Sequence, residues 1–210
     1  MKRLFSKNRR LYLITDTDAS GLTNVEAVRM AISAGIKTIQ LREKHISKKN
    51  IYREALALRQ LTLRYGVTLI INDHIDIALA VDADGVHLGQ DDMPVKEARK
   101  IIGRRKILGV STHSLKQALD AEASGADYIG FGPVFKTATK NAGEPKGIGL
   151  LKKIREQINI PIAAIGGITH DKAREVFNNG ADAIAVASGI LSGDIKENAK
   201  RFLSIIASCQ

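Results

Sequence analysis

Two acids, a group of bases and two glycine-bearing turns carry most of the chemistry this chain could perform. Asp73 closes the run "TLIIND" (68–73), and Asp92 ends "GVHLGQDD" (85–92). Each has a plain structural use, because Asp73 could cap a helix starting near Ile75 and Asp92 one containing Pro94. Taken together they form a pair of hard oxygen donors. Such a pair suits Mg²⁺, which takes one or two carboxylates and completes its shell with water and phosphate oxygens. Arg42 and Lys44 lie two apart in "TIQLREK" (38–44), so on one strand they share a face. Cations on an inward face need an anion to meet them; the alternative is a solvated strand end with snorkelling stems. "IGGI" (165–168) and "ASGI" (187–190) allow backbone N–H groups to approach a phosphate, where the alternative is an ordinary tight turn.

Other chemistries lack their signatures. The five histidines, at 45, 74, 87, 113 and 170, show no metal-binding spacing, and none of them is given a role. Ser111 stands outside any G-x-S-x-G elbow, so a hydrolase is disfavoured. The single cysteine, Cys209, cannot form an intrachain disulfide.

These groups need a scaffold, and the chain repeats one unit. Strand-like runs occur at "LYLITD" (11–16), 38–44, 68–73, "GVHLG" (85–89), "KILGVST" (106–112), "YIGFGPV" (128–134), "IPIAAIGG" (160–167) and "AIAVASG" (183–189). Helical patterns lie between them. One covers 24–35, with Val25, Val28, Ala31 and Ile32 on one face, and others start at Lys48, Ile75, Pro94, Leu115, Gly149, Asp171 and Ile195. Several stop on glycine, as in "SAGIKTIQ", "RYGVTLII", "ASGADYIG" and "NNGADAIAV". Strands alternating with helices imply parallel pairing through helical crossovers. Eight such units predict a closed (β/α)8 TIM barrel, an eight-stranded parallel barrel with outer helices. An open doubly wound sheet would carry a G-x-G-x-x-G turn after its first strand, where this chain has "ITDTDASG".

Length and composition agree with one domain. The 210 residues are 44% apolar and 26% charged, which suits a single core. Residues 1–10 read as a basic surface lead-in, with Lys2, Arg3, Lys7, Arg9 and Arg10, and 11–210 as the barrel. The net charge of +10 would favour nucleic acid, anionic membranes or small anions alike. With 4% aromatic residues there is little stacking surface, so nucleic acid is not expected as a partner. No membrane partner is expected either. The start lacks the apolar stretch of a secretory leader and no run is long enough to span a bilayer, so a cytoplasmic location is expected.

Barrel enzymes build their sites where the strands end. Here Gln40, Arg42, Glu43 and Lys44 follow the second strand, Asn72 and Asp73 the third, and Gln90, Asp91 and Asp92 the fourth. Ser111 and Thr112 end the fifth, Thr137, Thr139 and Lys140 follow the sixth, and the two glycine turns follow the last two. The barrel topology would turn all of these toward one mouth.

The blocks "LYLITD", "QLREK", "IIND", "GVHLGQDD", "GVSTHS", "ADYIGFGPVFKTATK" and "AIGGI", in that order from Leu11 to about Leu191, resemble the thiamine phosphate synthase family. The resemblance implies a transferase of thiamine biosynthesis. It would join hydroxymethylpyrimidine diphosphate to hydroxyethylthiazole phosphate with Mg²⁺, releasing pyrophosphate through a dissociative substitution. It also implies that Gln40, Leu41, Arg42, Glu43, Lys44, Asn72, Ser111 and Lys140 hold the pyrimidine diphosphate and that Asp73 and Asp92 bind the metal. Thr137, Ala138, Thr139, Gly167, Ala187 and Ser188 would hold the thiazole phosphate. Arg42, Lys44 and Lys140 would stabilise the charge that develops on the leaving group. The partners expected are these two phosphorylated rings, with the chain a monomer or homodimer.

Two rivals stay open at this level: a related thiazole tautomerase that needs no metal, and a non-catalytic phosphate-binding barrel. Neither would have reason to keep two acids beside three bases. The segment "TKNAGEPKGIG" matches the family only at Thr139, Lys140 and Gly147, which leaves closure of the 136–148 loop undetermined.

Overall fold

In a computed structural model, which describes residues 4–6, 9–137 and 143–209, the strands close into an all-parallel barrel in sequence order. They are β1 (Leu11–Ile14), β2 (Thr38–Leu41), β3 (Thr68–Asn72), β4 (Gly85–Leu88), β5 (Ile107–Thr112), β6 (Tyr128–Phe131), β7 (Ile162–Ile165) and β8 (Ala183–Val186). β1 pairs with β8 from Leu11–Ile184 to Leu13–Val186, which completes the closure. All eight expected strands form, though most stop before the polar residues that follow them.

The outer ring contains α2 (Asn24–Ser33), α3 (Lys48–Tyr65), α4 (Ile75–Ala80), α5 (Val95–Ile102), α6 (Leu115–Ala123), α7 (Gly147–Arg155), α8 (His170–Asn178) and α10 (Ile195–Ala207). Their starts fall within two residues of the expected ones. Two short helices not expected from sequence, α1 (Thr17–Ser20) and α9 (Ser188–Leu191), lie in the loops after β1 and β8. Local chemistry explains the boundaries. Thr23 and Glu26 form a reciprocal capping box on α2, and Ser47 caps α3, which ends on Gly66 at φ 62°.

Two faces of each strand divide the core. Outward residues such as Leu13, Ile39, Leu41, Leu69, Ile71, Val86 and Ile129 pack against the helices with almost no exposure. The inner face is unusual for such a barrel, where branched apolar side chains normally fill the tube. It carries Tyr12, Gln40, Asn72, His87, Ser111 and Tyr128 beside small residues such as Ala163 and Ala185.

At the N-terminal ends of the strands, one arrangement occurs three times. Asp84 Oδ2 accepts from Leu69 N–H at 2.8 Å and from Arg59 at 3.0 Å. Asp127 Oδ2 takes Leu108 N–H at 2.8 Å and Arg99 at 2.6 Å, and Asp182 Oδ2 takes Ile162 N–H at 2.8 Å and Arg155 at 3.0 Å. Each acid therefore ties the start of its own strand to the preceding strand and to the helix that leads into that preceding strand. Charge-assisted bonds of this kind, partly shielded from water, contribute more than exposed pairs.

The lead-in departs from the expected surface role. Phe5 lies edge-on to Tyr128 at 5.4 Å between ring centres and 6.2 Å from Tyr12, covering the floor of the tube. Arg10 bonds to the carbonyls of Asp182 (3.1 Å) and Cys209 (2.8 Å) and lies over the Phe177 ring, while Arg9 reaches Thr68 and the Gly66 carbonyl. These two cations anchor the segment.

Candidate active site at the barrel mouth

The inner face opens into a cavity of about 100 Å³ at the C-terminal ends of the strands. Its polar lining includes Gln40, Arg42, Asn72, His87 and Ser111, and its apolar wall includes Ile14, Ala163, Ile165 and Ala185. Four residues expected to hold one substrate, Gln40, Arg42, Asn72 and Ser111, thus meet in one chamber although β2, β3 and β5 supply them. Register brings them there: Gln40 pairs with Ile14, Asn72 with His87, and Ser111 with Gly130.

The second strand is shorter than expected, ending at Leu41 rather than Lys44. Arg42 leaves the ladder because its N–H donates to Thr15 Oγ1 at 2.9 Å, and its side chain faces the cavity. Lys44 lies beyond, exposed, so the two do not share a strand face as expected. Among the described residues neither forms an ion pair within 4 Å, but both act electrostatically on Asp73. Leu41 and Glu43 point elsewhere. Leu41 is buried against the helices, and the Glu43 carboxylate accepts from Asn24 at 2.5 Å, leaving their backbones to meet any ligand.

The two acids come together, and neither acts as a cap. His74 and Pro94 hold the N-cap positions of α4 and α5, with no side-chain cap bond at either. Asp92 instead accepts from Gly89 N–H at 2.6 Å, which turns its carboxylate back toward Asp73. Asp73 sits in the left-handed backbone region at φ 62°, a conformation that costs a non-glycine residue on the order of 1 kcal/mol. Its N–H donates to the His87 carbonyl at 2.8 Å, which helps hold it there. Burial, a hydrogen bond with Asp92 and that neighbour's charge raise the Asp73 carboxyl to about 6, against the opposing pull of Lys44 and Arg42. Two carboxylates held against each other, with the Asp73 carboxyl raised in this way, are a donor pair whose repulsion a divalent cation would relieve. No cluster of three or more His, Cys, Asp or Glu residues suited to a metal occurs among the described residues.

His87, for which spacing alone gives no role, faces the chamber. Burial lowers its imidazole to about 4 despite the nearby Asp92 charge, so the ring is neutral at physiological pH. Its Nε2 lies 2.9 Å from Ser111 Oγ and its Nδ1 2.9 Å from the Tyr128 hydroxyl. Tyr128 and Tyr12, which the sequence pattern places only on strands, line the chamber as well. Their signal was the alternation itself: polar or aromatic side chains at the inward positions of otherwise aliphatic strands.

Gly166 and Gly167 both have positive φ, 95° and 64°. A Cβ on Gly167 would run into the Lys136 carbonyl and Phe135, so the turn fits closely beneath the loop after β6. That loop is tied down by Val134 N–H to the Ile165 carbonyl (2.8 Å) and Phe135 N–H to the Gly166 carbonyl (3.0 Å). Ala187 precedes α9 and Ser188 opens it, next to the Gly167 turn around the rim. Thr137 is partly buried on the same loop. Ala138, Thr139 and Lys140 lie outside the described residues.

Comparison with known proteins gives the same direction. The family model described as thiamine monophosphate synthase matches residues 11–190. Thiamine-phosphate synthase of Chloroflexus aurantiacus is 50% identical over 201 residues, covering 95% of this chain and 93% of that protein. Its counterpart in Clostridium novyi is 48% identical, covering 95% and 98%. The structure of thiamine phosphate pyrophosphorylase from Pyrococcus furiosus superposes with a TM-score of 0.90 at 42% identity, over 98% of both chains. A barrel mouth that gathers acids, bases and glycine turns, on a chain this similar along nearly its whole length, places this protein in the thiamine-phosphate synthase family.

Proposed function

We propose that this transferase binds a pyrimidine methyl diphosphate in the barrel chamber and a thiazole phosphate at the rim, and joins them into thiamine monophosphate. The observation that carries this reading is the convergence of Gln40, Arg42, Asn72 and Ser111 on one cavity, with Asp73, Asp92 and Lys44 nearby. Gln40, Asn72 and Ser111 supply directional hydrogen bonds for the pyrimidine ring, and the wall of Ile14, Ala163, Ile165 and Ala185 receives its apolar face.

In the reaction the bond between the pyrimidine methylene carbon and the bridging oxygen breaks, and its electron pair leaves with pyrophosphate. The thiazole nitrogen then donates its lone pair to the methylene cation, forming the new C–N bond. Arg42 and Lys44 meet the charge that grows on the departing oxygen, with Lys140 as a further cation from outside the described residues. The paired acids fit Mg²⁺: Asp73 and Asp92 would hold it, and it would supply positive charge to the leaving diphosphate. The apolar wall and the closed floor limit competing water, and holding both rings together makes capture effectively unimolecular. Gly167, Ala187, Ser188 and Thr137 would position the thiazole phosphate through backbone N–H and hydroxyl groups.

The acid pair beside cations also favours this reading over a tautomerase, which would have no diphosphate to neutralise. Incubating the protein with both phosphorylated rings and MgCl₂ should yield thiamine monophosphate and pyrophosphate in equal amounts. Isomerisation of a thiazole phosphate carboxylate, with no pyrophosphate released from the pair, would overturn the assignment.

A further inference from the structure

Across the inside of the barrel, five side chains form one unbroken hydrogen-bonded line. Gln40 Nε2 donates to the Tyr12 hydroxyl at 2.7 Å, the Tyr12 and Tyr128 hydroxyls are 2.9 Å apart, and Tyr128 lies 2.9 Å from His87 Nδ1. His87 Nε2 completes it, 2.9 Å from Ser111 Oγ. Tyr12, His87 and Tyr128 are buried, so each polar hydrogen needs a protein acceptor.

That requirement gives the line a direction. With Gln40 donating to Tyr12, the only acceptor in the line for the Tyr12 hydrogen is the Tyr128 oxygen. Tyr128 then donates to Nδ1, which leaves the imidazole hydrogen on Nε2, where it is donated to Ser111. The two ends are therefore fixed in opposite senses. Gln40 is left with its carbonyl oxygen as an acceptor toward the chamber, and Ser111 with its hydroxyl hydrogen as a donor.

The backbone has made room for the two rings at the centre of this line. A Cβ on Gly109 would fall inside the Tyr128 ring, and one on Gly130 would come within 3.0 Å of His87 Cε1. Glycine inside a strand weakens it and commonly marks a close approach. Two such positions, on adjacent strands, each face a member of the line.

We propose that Tyr12, Tyr128 and His87 are positioning residues, a one-way hydrogen-bond relay that presents Gln40 as acceptor and Ser111 as donor to the pyrimidine ring. This rests on the placement of that ring in the chamber proposed above. The relay residues need not touch the reacting atoms; they set the orientation and hydrogen placement of the two that meet the ring.

The test is a double-mutant cycle on turnover of the two phosphorylated rings. Tyr128→Phe removes one hydroxyl and keeps the ring, and should lower kcat/KM for the pyrimidine diphosphate about tenfold, the scale of one lost buried hydrogen bond, while leaving KM for the thiazole phosphate unchanged. Ser111→Ala should cost at least as much, and adding Tyr128→Phe to it should cost clearly less than the roughly tenfold it costs alone, because the Ser111 end is already lost and only the Gln40 end is left to disturb. A purely structural Tyr128 would give the same loss in both backgrounds and would raise both KM values, and that result overturns the relay. Tyr12→Phe, read through Gln40→Ala in the same way, provides a second cycle should Tyr128→Phe not fold. If Ser111→Ala and Gln40→Ala both leave turnover intact, the placement of the ring fails and the relay with it; if they abolish it while both Tyr→Phe variants match the parent, only the relay fails.

Discussion

The two ends of the barrel use the same residue types in opposite ways. At the floor Asp84, Asp127 and Asp182 each accept from an arginine and from a strand N–H, so their charges are satisfied within the protein. At the mouth Asp73 shares a hydrogen bond with Asp92, while Arg42 and Lys44 stand by without an ion pair within 4 Å among the described residues. A carboxylate that could be paired with a nearby base is kept beside another acid instead. The difference separates charge that holds the fold from charge that would be available to a ligand, and the +10 total does not distinguish the two.

Removing one mouth acid gives the sharpest contrast. Asp73→Ala and Asp92→Asn should each lower turnover at saturating substrate by about 100-fold, reflecting the few kcal/mol a bound cation contributes, while the melting temperature holds or rises. A melting temperature that falls as far as in a floor variant would erase the distinction. Next in size, Asp127→Ala should cost on the order of 2 kcal/mol by unpairing Arg99 and the Leu108 N–H, read as a drop of roughly 5 °C in melting temperature. Its kcat at low temperature should match the parent; a lost kcat would place function at the floor as well.

A smaller effect is expected from Arg42→Met, which keeps the aliphatic stem and removes the charge. It should lower kcat/KM for the pyrimidine diphosphate on the order of tenfold, mainly through kcat, with unchanged melting; a rise in KM for the thiazole phosphate of that size with kcat unchanged would move Arg42 out of its assigned place. The smallest effect is a pH dependence. Because the Asp73 carboxyl is raised to about 6 in the folded chain, its contribution to stability is present below about 4 and is lost as pH rises through about 6. A cation held by Asp73 and Asp92 would compete with the proton on Asp73, so MgCl₂ should raise the melting temperature more at pH 8 than at pH 5. An equal rise at both would detach the ion from this pair.

Much of this was legible in the sequence, for reasons that differ by region. The eight strands showed because burial on both faces makes each an apolar run, and the helix-closing glycines, Gly35, Gly66, Gly125 and Gly180, all take the positive φ expected of them. The convergence of Gln40, Asn72 and Ser111 followed from topology alone. Where β2 ends did not, since the stop depends on Thr15 taking the Arg42 N–H from another strand. The capping alternative for Asp92 failed for a similar reason: its carboxylate turns back to Gly89 rather than forward to α5. His87 and Tyr128 are 41 residues apart and Tyr12 is 116 from Tyr128, so their line exists only once the barrel closes. The anchoring of Arg9 and Arg10 was hidden behind a charge run that read as solvated surface.

Phe5 has a kinetic corollary. A cylinder stoppered at one end has a single doorway, so whichever molecule lies deepest must arrive first, and the united product backs out along the path by which its halves came. Under the proposed placement of the two rings, pyrophosphate would share that exit, and its departure would be tied to whatever occupies the threshold.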